Sequence, residues 1–326
     1  MSVFLGHLAR GRGNRCICPD FLLYYGVIKE GGNSAMQVIL HLGAHCTGED
    51  RLLKSLLKNR ERLNPQGIII PGPSRYRRLI RQTLGALNGA TPSADEQQAL
   101  LTQITDEHVV KRLVLSAADF MAFVPWVFRH QTLYGKAPEV TAALGKLFDG
   151  ASIEFHLSIR NPATFIPAVF GNTTGLTLNK FLYGTDPYSI KWSELINKIS
   201  IANPGARVVV WRNEDCPLIW SRVMRNLTGT AEAISLQGEE DILSGQMTEE
   251  GLKLYLNYLV ANPPRTGRHK QRIINTFLDK FALPKDDPAD EIPDGWTPAM
   301  VAELTDLYEQ DLDRISRIPA VKLITP

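Results

Sequence analysis

Cysteine is scarce in this chain. Cys16, Cys18, Cys46 and Cys216 are the only four in 326 residues, too few and too scattered for a disulfide framework, and such usage points to a reducing, cytoplasmic setting. Cys16 and Cys18 form a C-x-C pair with no second pair to complete a metal site. No apolar run approaches the ~18 residues that cross a bilayer, so no membrane partner is expected. Charge of one sign is also lacking. Lys and Arg number 36 against 34 Asp and Glu, a net charge of +2, which gives no case for nucleic-acid binding. There is no internal repeat and no low-complexity tract. What remains is 44% hydrophobic and 21% charged, the balance of a globular protein able to bury a large core in one domain or two.

The N-terminus carries Arg10, Arg12 and Arg15, then an apolar run over 21–28 and small or polar residues to Ala35. This loosely resembles a signal peptide, but Cys16 to Asp20 interrupts the pattern and the run is short. The plainer expectation is a poorly ordered extension over 1–35, or an upstream start with Met36 as the natural one, followed by a single domain over 36–326.

From residue 36 the chain alternates between two periods. Residues 38–42 read as a buried parallel strand, followed by Gly43, Gly48 and a helix carrying Leu52, Leu53, Leu56 and Leu57. Further strands are expected over 66–70, 112–115, 153–159 and 207–211, with helices between them, and three helices occupy the C-terminal third. The aromatic stretch 120–128 reads as core, and the acidic, proline-rich 284–293 as a linker. Strands alternating with helices imply a parallel sheet covered on both faces. Arg75, Arg77, Arg78 and Arg81 read either as a solvated helix face or as a basic surface beside the first loop.

A strand feeding a glycine loop and a helix N-terminus is an anion site by shape, because unpaired N–H groups and the helix dipole converge there. ILHLGAHCTGEDRLLKSLL resembles the opening of bacterial sulfotransferase-like proteins, which have H-x-G-x-x-K-T-G-T-T between strand and helix. Arg160-Asn161-Pro162 after the fourth strand resembles that family's second signature, VVWRNED its later strand ending in an acidic pair, and the segment from Leu307 to Ile315 its closing helix. The resemblance spans about 36–326. It implies an α/β fold, three-layer α/β/α, with a five-stranded parallel sheet of P-loop/sulfotransferase type and a helical C-terminal part. It also implies 3′-phosphoadenosine-5′-phosphosulfate as co-substrate and a hydroxyl or amine acceptor on a small molecule or glycan.

Carried over by position, the cofactor loop is Gly43, Ala44, His45, Cys46, Thr47 and Gly48, with Arg160 on the 3′-phosphate. Arg265 and Arg268 stand where such proteins bring basic residues to the nucleotide. The departures are chemical. Cys46 replaces the lysine, Glu49 and Asp50 replace paired hydroxyls, and Ala168 falls at the serine. A like charge ~4 Å from the ligand repels by about 4 kcal/mol at an effective dielectric near 20, on the order of three decades of affinity. As a G-x-x-x-x-G-K-[ST] match, Gly43 to Asp50 lacks both lysine and hydroxyl, which disfavours a nucleoside triphosphatase. Glu49 and Asp50 can instead serve the helix dipole themselves, giving a self-satisfied loop and a non-catalytic binding or interaction protein.

Sulfuryl transfer needs a base for the acceptor and cations for the bridging oxygen. His45 fits either role by position, and His130 is a second candidate base; a histidine bonded to backbone and a surface histidine are their ordinary alternatives. His108 and His156 read as structural. Arg75 and Arg77 follow the second strand, where an acidic acceptor could be held. His41, His45, Cys46, Glu49 and Asp50 are all ligand-type residues, but their spacing does not show convergence and no metal is expected.

Overall fold

The strands form where β-branched and aliphatic residues run without a polar break. They are β1 (Gln37–His41), β2 (Ile68–Ile69), β3 (Arg112–Ser116), β4 (Ser152–Ile159), β5 (Arg207–Arg212) and β6 (Val321–Ile324). All pair in parallel, in the order β2-β3-β1-β4-β5-β6. The computed structural model describes residues 36–232, 234–284, 293 and 295–326, and of Glu49 the backbone alone. The readings of 1–35 as an extension or signal peptide, the Cys16–Cys18 pair, and residues 285–292 of the expected linker lie outside the described residues.

Two sets of helices cover the sheet. On one face lie α1 (Glu49–Leu57), α2 (Arg60–Leu63), α9 (Cys216–Thr228), α10 (Glu249–Ala261) and α11 (Gly267–Phe281), closing on Ile39, Val114, Val209 and Trp211. On the other lie α3 (Pro73–Leu87), α4 (Ala94–Ile104), α5 (Ala137–Lys146), α6 (Pro162–Gly171), α7 (Leu178–Leu182), α8 (Trp192–Ala202) and α12 (Pro298–Ile315), packed on Val38, Leu40, Leu113, Leu115, Phe155 and Leu157. Alternate residues of one strand thus enter opposite cores, as the period of two requires. Caps set several helix starts. Ser93 accepts from the Glu96 N–H while Glu96 returns to Ser93, a full capping box, and Thr248, Thr266 and Thr297 cap α10, α11 and α12. One compact unit spans Ala35–Pro326.

Two expectations are corrected. The sheet has six strands, not five. β6 is four residues long, follows the longest helix, and is a strand because β5 offers it a free edge, pairing Val208 with Val321 through Trp211 with Ile324. The stretch 120–128 is not wholly core. It is broken into the short turns Ala118–Phe120 and Val124–Trp126; Val127 and Phe128 are buried, but Phe123 is 39% and Trp126 45% exposed. Pro125 within this run favours the break.

Candidate functional site

β1 and β4 are neighbours, yet α1 leaves β1 for one face and α6 leaves β4 for the other. A crevice opens where successive connections diverge in this way, outside the carboxyl ends of the strands. The loop after β1 sits there. Its first half prolongs the ladder: Leu42 N–H donates to His156 O (2.9 Å), Ala44 N–H to Ser158 O (2.7 Å), and Ser158 N–H to Gly43 O (2.6 Å). Gly43 has φ +89°, and a Cβ there would stand 3.1 Å from the Ala118 Cα. Gly48, at φ 75°, is the N-cap of α1. Cys46 is left-handed too, at φ 58°, although it carries a Cβ.

Four side chains fasten the loop, one of its own and three from the segments before α5, after β4 and after α6. Thr47 Oγ1 donates to Ala44 O at 2.7 Å. The Tyr134 hydroxyl accepts the His45 backbone N–H (3.1 Å) and meets His45 Nδ1 at 2.8 Å, with the two rings stacked. Arg160, 8% exposed, donates from one terminal nitrogen to Cys46 O at 3.0 Å and from Nε to Thr164 Oγ1 at 3.0 Å. Asn172 Nδ2 donates to Cys46 Sγ at 3.3 Å. Arg160, expected at a 3′-phosphate, thus reaches the loop's own backbone from the end of β4. Ala168 is buried inside α6, and Asn172 donates to its carbonyl.

A cavity of about 540 Å³ lies over this loop, lined by His45, Cys46, Gly48, Asp50, Arg51, Lys54, Val124 and Asn172. Arg51 and Lys54 are its cations. Sequence reasoning passed over them because they sit among the polar positions of an amphipathic helix. The available signal was the spacing of Arg51, Lys54 and Lys58, which runs one stripe down α1 from its first turn. The Asp50 carboxylate, expected to repel an anion, accepts from Arg77 at 2.9 Å, and Arg77 Nε also donates to Ser116 O at 3.0 Å. The acid is thus opposed by a cation from α3.

Burial dominates the titration of the nearby histidines. His45 is lowered from 6.5 to about 4 by desolvation, with Asp119 pulling the other way. It is neutral at pH 7, and its Nδ1 is held by the Tyr134 hydroxyl. His41 is lowered to about 3 by burial, with His156 and Arg77 adding to the effect. Its Nδ1 meets Ser116 Oγ at 2.8 Å, and its ring stacks on Trp211. Beneath the loop, His41 Nε2, both ring nitrogens of His156, and Ser158 Oγ are buried without hydrogen-bond partners. Among the described residues, no three His, Cys, Asp or Glu converge as metal ligands.

Other candidates lie apart from this cavity. His130 lines a second cavity of about 250 Å³. Arg265 and Arg268 stand at the turn into α11 and are not among the residues lining the first cavity. Arg75 is exposed and paired with Asp106 at 2.6 Å. The chain matches no protein-family profile, and no curated protein matches it significantly. No helix among the described residues is long and apolar enough to cross a membrane.

Proposed function

We propose that this chain is a sulfotransferase-like protein of P-loop type, and that the 540 Å³ cavity takes the phosphate-bearing end of a nucleotide. The carrying observation is the pair Arg51 and Lys54, which line the cavity beside Gly48 and His45 and supply the positive charge that Cys46 does not. The residues fit 3′-phosphoadenosine-5′-phosphosulfate at its phosphosulfate end, where α1 opens onto the cavity. At the 3′-phosphate the fit is poorer, since Ala168 offers no hydroxyl. That co-substrate would supply an activated sulfuryl group. The chain's part would be to hold the anion with Arg51 and Lys54 and to present His45 Nε2 to the acceptor.

A second reading, a non-catalytic binding protein of the same fold, is favoured by one observation. Arg160 spends hydrogen bonds on Cys46 O and Thr164 Oγ1, so it serves the loop where a phosphate-binding arginine would serve a ligand. Calorimetric titration with adenosine 3′,5′-bisphosphate separates the two. Micromolar binding, weakened about tenfold or more in Arg51→Ala and Lys54→Ala, supports the enzyme reading; each tenfold loss is about 1.4 kcal/mol. Absence of binding at millimolar nucleotide sinks the co-substrate assignment and leaves the non-catalytic reading.

A further inference from the structure

The second cavity has a chemistry of its own. Its walls are apolar, built from Phe120, Met121, Phe123 and Trp126 of the broken aromatic stretch with Leu84 and Val140 opposite. At about 250 Å³ it lies just below the ~300–1,000 Å³ of drug-sized sites, the scale of one ring or two fused rings. Phe123 and Trp126 meet edge to face at 5.3 Å and remain 39% and 45% exposed. A flat ligand covering them would gain roughly 25 cal/mol for each Å² of apolar surface removed from water.

The charged groups at the cavity are unbalanced. Arg81, Arg129 and Lys136 line it against a single acid, Asp119. Asp119 is already engaged by Arg81. Arg129 and Lys136 have no carboxylate partner among the described residues. The arginines are held on ring faces, Arg81 over Phe123 at 4.9 Å and Arg129 over Trp126 at 5.3 Å, which positions cations at the aromatic wall.

The backbone behind this wall is strained. His130, Gln131 and Tyr134 all have left-handed φ (63°, 57° and 48°) without being glycine, at about 1–2 kcal/mol each. The bend survives because Tyr134 is fastened: its N–H donates to Val127 O at 2.7 Å and its hydroxyl holds His45. The same bend delivers Arg129 and Lys136 to one cavity.

We infer that this cavity binds a small planar aromatic anion, a carboxylate or sulfonate, with its ring against Phe123 and Trp126 and its charge against Arg129 and Lys136. The inference does not rest on the nucleotide reading, since none of these residues lines the first cavity. The test titrates 2-naphthoate into the full chain by calorimetry, with 2-naphthylmethanol (same ring, no charge) and cyclohexanecarboxylate (same charge, no aromatic ring) as comparisons. Expected is saturable 2-naphthoate binding, about tenfold or more tighter than either comparison, and weakened about tenfold in Arg129→Ala and Trp126→Ala. Leu84→Trp, which fills the cavity while leaving Phe123, Trp126, Arg129 and Lys136 in place, gives the same loss. Equal affinity for the neutral and anionic naphthalenes, no effect of Trp126→Ala or Leu84→Trp in chains that melt normally, or no binding at millimolar ligand would each overturn the proposal. Adenosine 3′,5′-bisphosphate affinity is read in parallel, so failure at one cavity is distinguished from failure at the other.

Discussion

Single residues at the head of the sheet are held by burial more than by charge. His41 and His45 stay neutral because desolvation lowers them to about 3 and about 4 from 6.5, and buried His156 is lowered for the same reason. The sign follows directly. The unfolded chain takes up protons below pH 6.5 while the folded rings do not, so their contribution is complete above pH 6.5 and is lost as pH falls toward 4. Each buried histidine contributes a slope of about 1.4 kcal/mol per pH unit in that window. Urea midpoints are therefore expected to drop steeply between pH 6.5 and 4.5, and a flat profile there would contradict the assignment. Tyr134 is the other decisive single residue. Tyr134→Phe removes the oxygen that accepts from the His45 N–H and meets Nδ1, and should cost about 1–3 kcal/mol in denaturant unfolding. A loss near zero would mean that water replaces the hydroxyl.

At the scale of elements, the turn from β1 into α1 depends on two glycines for different reasons. Both are left-handed, but Gly43 also lies against Ala118, whereas a Cβ at Gly48 meets nothing within 4 Å. Gly48→Ala is expected to cost only the ~1–2 kcal/mol of αL strain. Gly43→Ala should cost more, because Ala118 must give way, and should loosen the Ala44–Ser158 contact as well. Thermal melts of the two variants check the order; equal losses would mean that Ala118 moves freely. The turn was legible in sequence as glycine spacing between a β-branched run and a leucine-periodic one. Five of the strands were legible too, because parallel strands buried on both faces are nearly continuous apolar runs. Arg51 and Lys54 were not legible as site residues, since an amphipathic helix shows which face is polar and not what that face overlooks. Tyr134 carried no signal at all: it stands in a mostly polar stretch with Thr132, Gly135 and Lys136, and its hydroxyl finds His45 89 positions away.

Across the whole molecule, closure of the sheet depends on the last strand. β6 pairs only with β5 and buries Ile324 at 3% exposure. Removing residues 321–326 would leave β5 as an unpaired edge, which is a template for association. The shortened chain should unfold at lower urea, by about 2 kcal/mol or more from the burial of Ile324 alone, and should show higher-order species in light scattering. Unchanged stability and a single monodisperse peak would assign β6 a marginal role. The two cavities belong to this scale as well. Val124 lines the first, while Phe123 and Trp126 line the second, so one short aromatic segment serves both.

What the sequence determined by itself was local and periodic: the alternation of strand and helix, the parallel sheet, the glycine turn after β1, and Arg160 at the end of β4. Each of these rests on neighbours a few positions apart, where spacing carries the physics. Tertiary structure alone decided that β6 joins the sheet, that Asp50 is answered by Arg77, that Arg160 bonds to the loop's own carbonyl, and that Phe123 and Trp126 open onto a cationic cavity. These outcomes depend on which distant groups burial brings within hydrogen-bonding or van der Waals reach, and residue spacing along the chain does not encode that reach.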